Sequence, residues 1–253
     1  EFPYYDKMET PYSRAAFYVQ SDISTSEEGI IIEFTQDDGS QNLQIIGDNK
    51  KSIIPSGKNK LKVNRTPGKY KVKIQAVSGM GSNADTVTLI ILQHSTLGAE
   101  WDLLTKPSPY YKGDGAFTLT DGIIGRRPWN GKEWLGFDTS NIKLKFAFKK
   151  KRKVSSINVG FLQAETSWVY LPNQIVVRYS KNGKRSKEAT VSVDSESTKL
   201  KLNKKVQYIE LEILGNLTIP EGKNGAGHAP WIFMDEIWFD STYKSRFSIF
   251  KRN

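Results

Sequence analysis

The stretch "NIKLKFAF", residues 141–148, sets Ile142, Leu144, Phe146 and Phe148 against Lys143 and Lys145. Apolar and charged side chains alternate with a period of two. In an extended chain successive side chains point to opposite faces, so this is a strand with one buried and one wet face. The same period continues on both sides. "SSINVGFL" alternates through Ile157, Val159 and Phe161, and "QIVVRYS", "ATVSVD", "KLKLN", "VQYIELEIL" and "PWIFMDEIWF" follow. Turn sequences "KNGK" and "DSES" separate some of them. No helix longer than a turn or two is expected. About eight strands with short turns predict an antiparallel sandwich of jelly-roll type.

Upstream the period is the same but the setting differs. "GKYKVKIQAVSGMG" places Val72, Ile74 and Ala76 on one face and Lys71, Lys73 and Gln75 on the other. Pro67 and Gly68 precede it, "DTVTLIILQ" follows it, and "GIIIEF" lies earlier. A Pro-Gly turn, a strand, a Gly-rich turn and a strand are the close of a small immunoglobulin-like or fibronectin-like sandwich. Charge supports a division. Residues 1–95 hold 11 Lys+Arg and 11 Asp+Glu, whereas 96–253 hold 26 and 16, which is the whole excess of +10. The expected domains are therefore 1–95, an Ig-like sandwich with an N-terminal extension, and 96–253, the jelly roll. The fold class is all-β.

Composition excludes some chemistry. The chain has no cysteine, so disulfides, thiolate zinc sites and a cysteine nucleophile are absent. No apolar run approaches the ~20 residues of a membrane helix. "GIIGRRPWNG" lacks the GxxxxGK[ST] spacing of a phosphate loop, and no helix follows it. Its glycines Gly122, Gly125 and Gly131 are read as the backbone of a winding loop. Serine, histidine and aspartate form no recognisable triad. Basic runs such as "KLKFAFKKKRK" (143–153), "KNGKRSK" (181–187) and "KLKLNKK" (199–205) fit a polyanion by charge. No nucleic-acid-binding signature accompanies them, so nucleic acid is not an expected partner; an anionic polysaccharide remains open.

Sugar binding needs a flat aromatic face and planar hydrogen-bonding groups. Three loops of the second half carry both. One has Arg126, Arg127, Trp129 and Asn130; another has Glu165, Trp168 and Tyr170; the third has Asn224, His228 and Trp231. Trp134, Trp231 and Trp238 have apolar flanks and are read as anchors. Trp168 is open between a structural and a binding role. Trp129, between Pro128 and Asn130, is the ring most expected to be exposed. The expected sugar contacts are Trp129 as platform with Arg126, Asn130 and His228 as polar partners, and Trp168 beside them. His94 lies in the link between the halves and is read as structural.

The segments "HSTLG…KPSPYYKGDGAFTLTDGIIG", "EWLGF", "INVGFLQAETSWVYLPNQIVVRYSKNGK" and "HAPWIFMDEIWF" occur in this order. Over roughly residues 93–240 they resemble the C-terminal region of β-N-acetylhexosaminidases of glycoside hydrolase family 20 from Bacteroidota. There an Ig-like segment precedes a discoidin-like domain (coagulation factor V/VIII type C), akin to carbohydrate-binding module family 32. The resemblance implies an accessory region that is not itself an enzyme, located in the periplasm, on the cell surface or outside the cell. It implies two partners: a glycan of N-acetylhexosamine or galactose type, and a catalytic domain of its own or a neighbouring chain. Nothing in the chain reads as the family's barrel, which needs about 250 residues of alternating strands and helices. Family 20 enzymes use an adjacent Asp-Glu pair, but Asp235 and Glu236 are strand neighbours and point apart. The resemblance instead matches Asp121 and Glu236 to the two carboxylates of a structural calcium site, with backbone carbonyls completing it. The opposite reading has Asp121 capping a turn and Glu236 pairing with a lysine.

Overall fold

The structure, a computed structural model, describes the backbone of the strands between residues 19 and 91 and, with side chains, residues 92–240 apart from a few loop positions. The chain divides into two compact units, one of Glu1–Asn64 with Lys71–Thr88 and one of Arg65–Tyr70 with Leu89–Asn253. The dominant boundary thus falls a few residues before the expected one at 95.

In the first unit the strands are β1 (Val19–Ser26), β2 (Gly29–Gln36), β3 (Leu43–Gly47), β4 (Ile53–Pro55), β5 (Lys60–Val63), β6 (Gly68–Ser78) and β7 (Gly81–Ile91). The expected strands around "GIIIEF", "GKYKVKIQAV" and "DTVTLIILQ" are β2, β6 and β7. They form two sheets, ordered β1-β2-β5-β4 and β3-β6-β7; the last residues of β7, Ile90 and Ile91, which belong to the second unit, pair further with Ile124 and Ile123. This is the partition of constant-type immunoglobulin strands, A-B-E-D on one sheet and C-F-G on the other.

The second unit contains β8 (Asp102–Leu103), β9 (Ile123–Ile124), β10 (Leu135–Phe137), β11 (Asn141–Leu162), β12 (Gln174–Ser180), β13 (Lys187–Ser192), β14 (Ser197–Leu214) and β15 (Ile232–Phe239). Three short 3-10 turns interrupt it, at Pro109–Tyr111, Gly115–Leu119 and Glu165–Ser167. The sheet is antiparallel with order β10-β15-β11-β14-β12-β13, and β8 pairs on β11. "NIKLKFAF" and "SSINVGFL", expected as two strands, are one strand of 22 residues. "KLKLN" and "VQYIELEIL" merge likewise into β14. The pairing of β11 with β14 slips between Ala147 and Arg152 and again between Val154 and Ser156. Bulges of this kind bend a strand and let one sheet turn a corner into two layers. The N-terminal half of β11 pairs with the C-terminal half of β14 and with β8; its C-terminal half pairs with the start of β14 and with β15. One apolar cluster contains Ile142 and Leu144 from the first half and Ile157, Val159 and Phe161 from the second, with Ile209, Leu211, Ile232 and Met234.

The alternation read in residues 141–148 holds in place. Ile142, Leu144 and Phe148 are buried, while Lys143 and Lys145 are exposed and reach Glu212 and Glu210 across the ladder at 3.3 and 3.7 Å. Arg178 on β12 joins them, 2.6 Å from Glu212. Hydrogen bonds from Asn141 and Arg178 hold the Glu212 carboxyl down at about 2. Beneath this surface Phe239 is fully buried among Trp101, Phe146 and Phe148, each ring centroid 5.9 Å away. The link before this layer is clasped to it: Ser95 donates both its backbone N–H (3.1 Å) and its hydroxyl (3.0 Å) to the carbonyl of Phe239.

Candidate functional site

β11 ends at Leu162 opposite Phe233, near the start of β15. That register brings two loops together at one end of the sheet: 163–173, which leaves β11, and 215–231, which leads into β15. The first closes on itself by Ala164–Val169 backbone bonds of 3.0 and 3.2 Å. Its corner is Trp168, in the left-handed region at φ 60. In the second loop Ile219 and His228 close a similar neck, with Ile219 N–H donating to His228 O at 2.7 Å.

The two loops are then stitched. Tyr170 N–H donates to Trp231 O, and Trp231 N–H donates to Trp168 O, at 2.9 and 2.8 Å. The Tyr170 hydroxyl donates to Asn224 O at 2.8 Å. The Asn224 amide donates to the carbonyls of Glu165 and Thr166, and Lys223 pairs with Glu165 at 3.2 Å. The result is a stacked pair: the Trp168 indole and the His228 imidazole lie 4.6 Å apart with 19° between planes. Trp168 is half-buried and His228 exposed. Gly225 makes room for the indole. A Cβ there would sit 2.4 Å from Trp168 Nε1, and its φ of +80 suits glycine alone.

The third loop reaches the same end. Arg127 donates to Gln163 O at 2.6 Å and to Glu196 at 2.7 Å. Trp129, expected as the most exposed ring, is half-buried and packs on Trp134, Leu162, Ala164, Val169 and Phe233. Its polar neighbours do not hold it in solvent because this apolar cluster offers it a seat. Arg126, Asn130 and Gly131 lie outside the described residues. Gly125 serves close approach, since a Cβ would meet the Trp134 ring at 2.3 Å. Trp134 and Trp238 are buried as expected, and Trp231 is half-buried, edge-on to Tyr111. Sequence reasoning named Trp168 and His228 separately and missed their contact. The glycines at 222, 225 and 227, all with positive φ, were the available signal of a tightly wound loop.

Asp235 and Glu236 part company as strand neighbours must. Asp235 accepts the N–H groups of Gly125 and Glu236, both at 2.8 Å. Glu236 accepts Gly122 N–H at 2.8 Å, meets the Asp121 side chain and lies 3.1 Å from His94 Nε2. The buried partner of Glu236 is therefore His94, not a lysine, and His94 is fixed in turn by Thr96 at 2.9 Å. Asp121 does cap its own turn, accepting Ile123 N–H at 2.7 Å. Burial raises both carboxyl groups well above their usual range, Asp121 further through the Glu236 charge, and lowers His94 to about 4. The His94 contact is thus one between a neutral imidazole and a carboxyl group, not an ion pair. Glu236 Oε1 has no hydrogen-bond donor of good geometry. Among the described residues no group of three or more His, Asp or Glu is arranged for a metal ion. Asp121 and Glu236 would be the two side-chain ligands of a cation, and the remainder would be carbonyl oxygens.

No helix among the described residues is long and apolar enough to cross a membrane. No family profile matches the chain, and no curated protein matches it. Solved structures do. The chain is similar to a Streptococcus pneumoniae fucose binding module, at 18% identity and TM-score 0.43, over 58% of this chain and 94% of that one. It is similar to the lectin domain of lectinolysin complexed with Lewis B antigen, at 12% identity and TM-score 0.43, over 59% and 97%. It is also similar to chitosan-binding module 1 of a chitosanase/glucanase from Paenibacillus sp. IK-5, at 8% identity and TM-score 0.39, over 58% and 98%.

Proposed function

We propose that the second unit is a non-catalytic carbohydrate-binding module whose ligand lies against the Trp168–His228 pair. The observation that carries this is the pair itself. Two rings are stacked at the tip of a sandwich, held by backbone bonds of two loops, with a carboxylate (Glu165) and a cation (Lys223) beside them. A pyranose presents an apolar C–H face and a rim of hydroxyls, and such a platform with polar neighbours suits both. In this reading the glycan is of N-acetylhexosamine or galactose type. The chain serves a hexosaminidase-like glycoside hydrolase in the periplasm, at the cell surface or outside the cell. Support for that context is the order of motifs between residues 93 and 240.

Calorimetric titration with N-acetylglucosamine and galactose glycosides tests it. Dissociation constants of about 10⁻³ to 10⁻⁵ M are expected, because one platform and a few hydrogen bonds bury little area. Trp168→Ala and Gly225→Ala are each expected to weaken binding at least about tenfold, equivalent to losing about 1.4 kcal/mol. Wild-type affinity in Trp168→Ala would exclude the site. The competing reading is that both units only brace a catalytic domain; it predicts no sugar binding at all at millimolar ligand.

A structural calcium on Asp121 and Glu236 belongs to the same reading. Two buried carboxyl groups in contact share a need that either a proton or a cation meets. If the ion binds, millimolar calcium raises the melting temperature at pH 7 and a chelator reverses it. Glu236→Gln removes the response. An unchanged melting temperature in calcium and in chelator refutes the ion.

A further inference from the structure

Charge on the outer face of the β11–β14 ladder changes character midway along it. At one end each lysine has a partner, Lys143 with Glu212 and Lys145 with Glu210. The change comes after the rung Ala147–Tyr208. There β11 spends four residues, 148 to 151, opposite Gln207 alone before Arg152 pairs with Val206. Strict alternation would turn Lys150 back towards the core. The bulge instead leaves Lys149, Lys150 and Lys151 all exposed. Two rungs on, Lys153 stands directly opposite Lys205, and Lys204 is beside it; all three are exposed. Like charges face to face across a ladder are destabilising. Among the described residues none of these six lysines has an ion pair with a carboxylate; Arg152 has one, to Asp240.

An exposed aromatic ring sits at the edge of this field. Tyr208 is 41% exposed and pairs with Ala147 on one side and Ser180 on the other. Ser180 opens the β12–β13 turn, 181–186, which adds two lysines and Arg185, all exposed. A Cβ on Gly183 of that turn would lie 3.7 Å from the Tyr208 ring. Cations on two strands and one turn therefore border the region of this ring, away from the loops that hold Trp168.

The geometry points to a second binding surface, for an anionic polysaccharide whose charged groups lie along the lysines while one sugar ring rests on Tyr208. Successive same-face residues of a strand are about 6.7 Å apart and neighbouring strands about 4.8 Å, so the cations form a track rather than a point. Lysine is a point charge without the fork that reads phosphate and base edges, and single-stranded nucleic acid needs a row of stacking rings where this surface has one. The surface is independent of the Trp168 platform.

Dextran sulfate, neutral dextran, single-stranded DNA and phosphatidylglycerol vesicles serve as probes. The protein is expected to bind dextran sulfate in about 50 mM salt, with affinity falling steeply as salt rises through counterion release. The variant K149A/K151A/K205A should lose at least about tenfold, since each lysine removed is one counterion fewer released. K143A/K145A, which removes two paired lysines, should lose much less, and Trp168→Ala nothing. Tyr208→Ala should weaken binding without changing the salt slope. The inference is overturned if the two lysine variants lose affinity in proportion to net charge alone. It is equally overturned if DNA or the vesicles bind more tightly than dextran sulfate, or if dextran sulfate does not bind.

Discussion

Phe239→Ala is expected to destabilise the second unit by about 3–5 kcal/mol, the range for removing a fully buried phenyl ring. Three terms act together. The ring leaves an apolar cavity that Trp101, Phe146 and Phe148 cannot fully collapse into, because β11 holds both phenylalanines and Trp101 is itself buried. Edge-to-face contacts are lost, each worth about 0.5–1.5 kcal/mol beyond area. The residue also ends β15, at the carbonyl that anchors Ser95. All six tryptophans lie in residues 96–253, so their fluorescence follows the unfolding of this unit without a signal from the first. The urea midpoint should fall with an unchanged m-value. A loss below about 1 kcal/mol would mean the aromatic cluster is looser than the contacts imply.

Asp235→Ala is expected to cost about 2–6 kcal/mol. The carboxylate accepts two buried N–H groups, those of Gly125 and Glu236, and each buried donor left without an acceptor costs about 1–3 kcal/mol. Asp235→Asn keeps one acceptor oxygen and should recover a good part of the loss. The same comparison separates a structural aspartate from a reactive one. A structural role predicts that destabilisation follows the number of acceptors removed. If both variants keep wild-type stability, the carboxylate is not what holds the 121–125 loop against β15.

The alternation in residues 141–148 was legible because a buried and a wet face leave a strand no other pattern. The continuity of β11 was not. The bulge that joins its halves falls in "KKKRK", where every residue is polar and no period can be seen. Trp168 and His228 were legible as candidate residues by type and by their loops. Their stacking depends on the register between β11 and β15, which no local pattern encodes. The same holds for Glu236 and His94, 142 positions apart: a lysine was the natural partner to expect from charge, and burial selected a neutral imidazole instead. Trp129 was misjudged in the other direction. Its polar flanks promised exposure, while its apolar seat is a cluster assembled from residues between Trp134 and Phe233.

The bond between Ser95 and Phe239 also sets a direction. Ser95, in the link before the sandwich, and Phe239, the last residue of β15, meet at one end of that strand. The strand runs from Ile232 to Phe239, seven steps or about 23 Å, and the stacked rings stand beyond its other end. The clasp and the stacked rings thus occupy opposite poles of one strand. Loosening the clasp, as in Ser95→Ala, is therefore expected to leave the stacking of Trp168 on His228 unaltered, because the whole length of the strand lies between them.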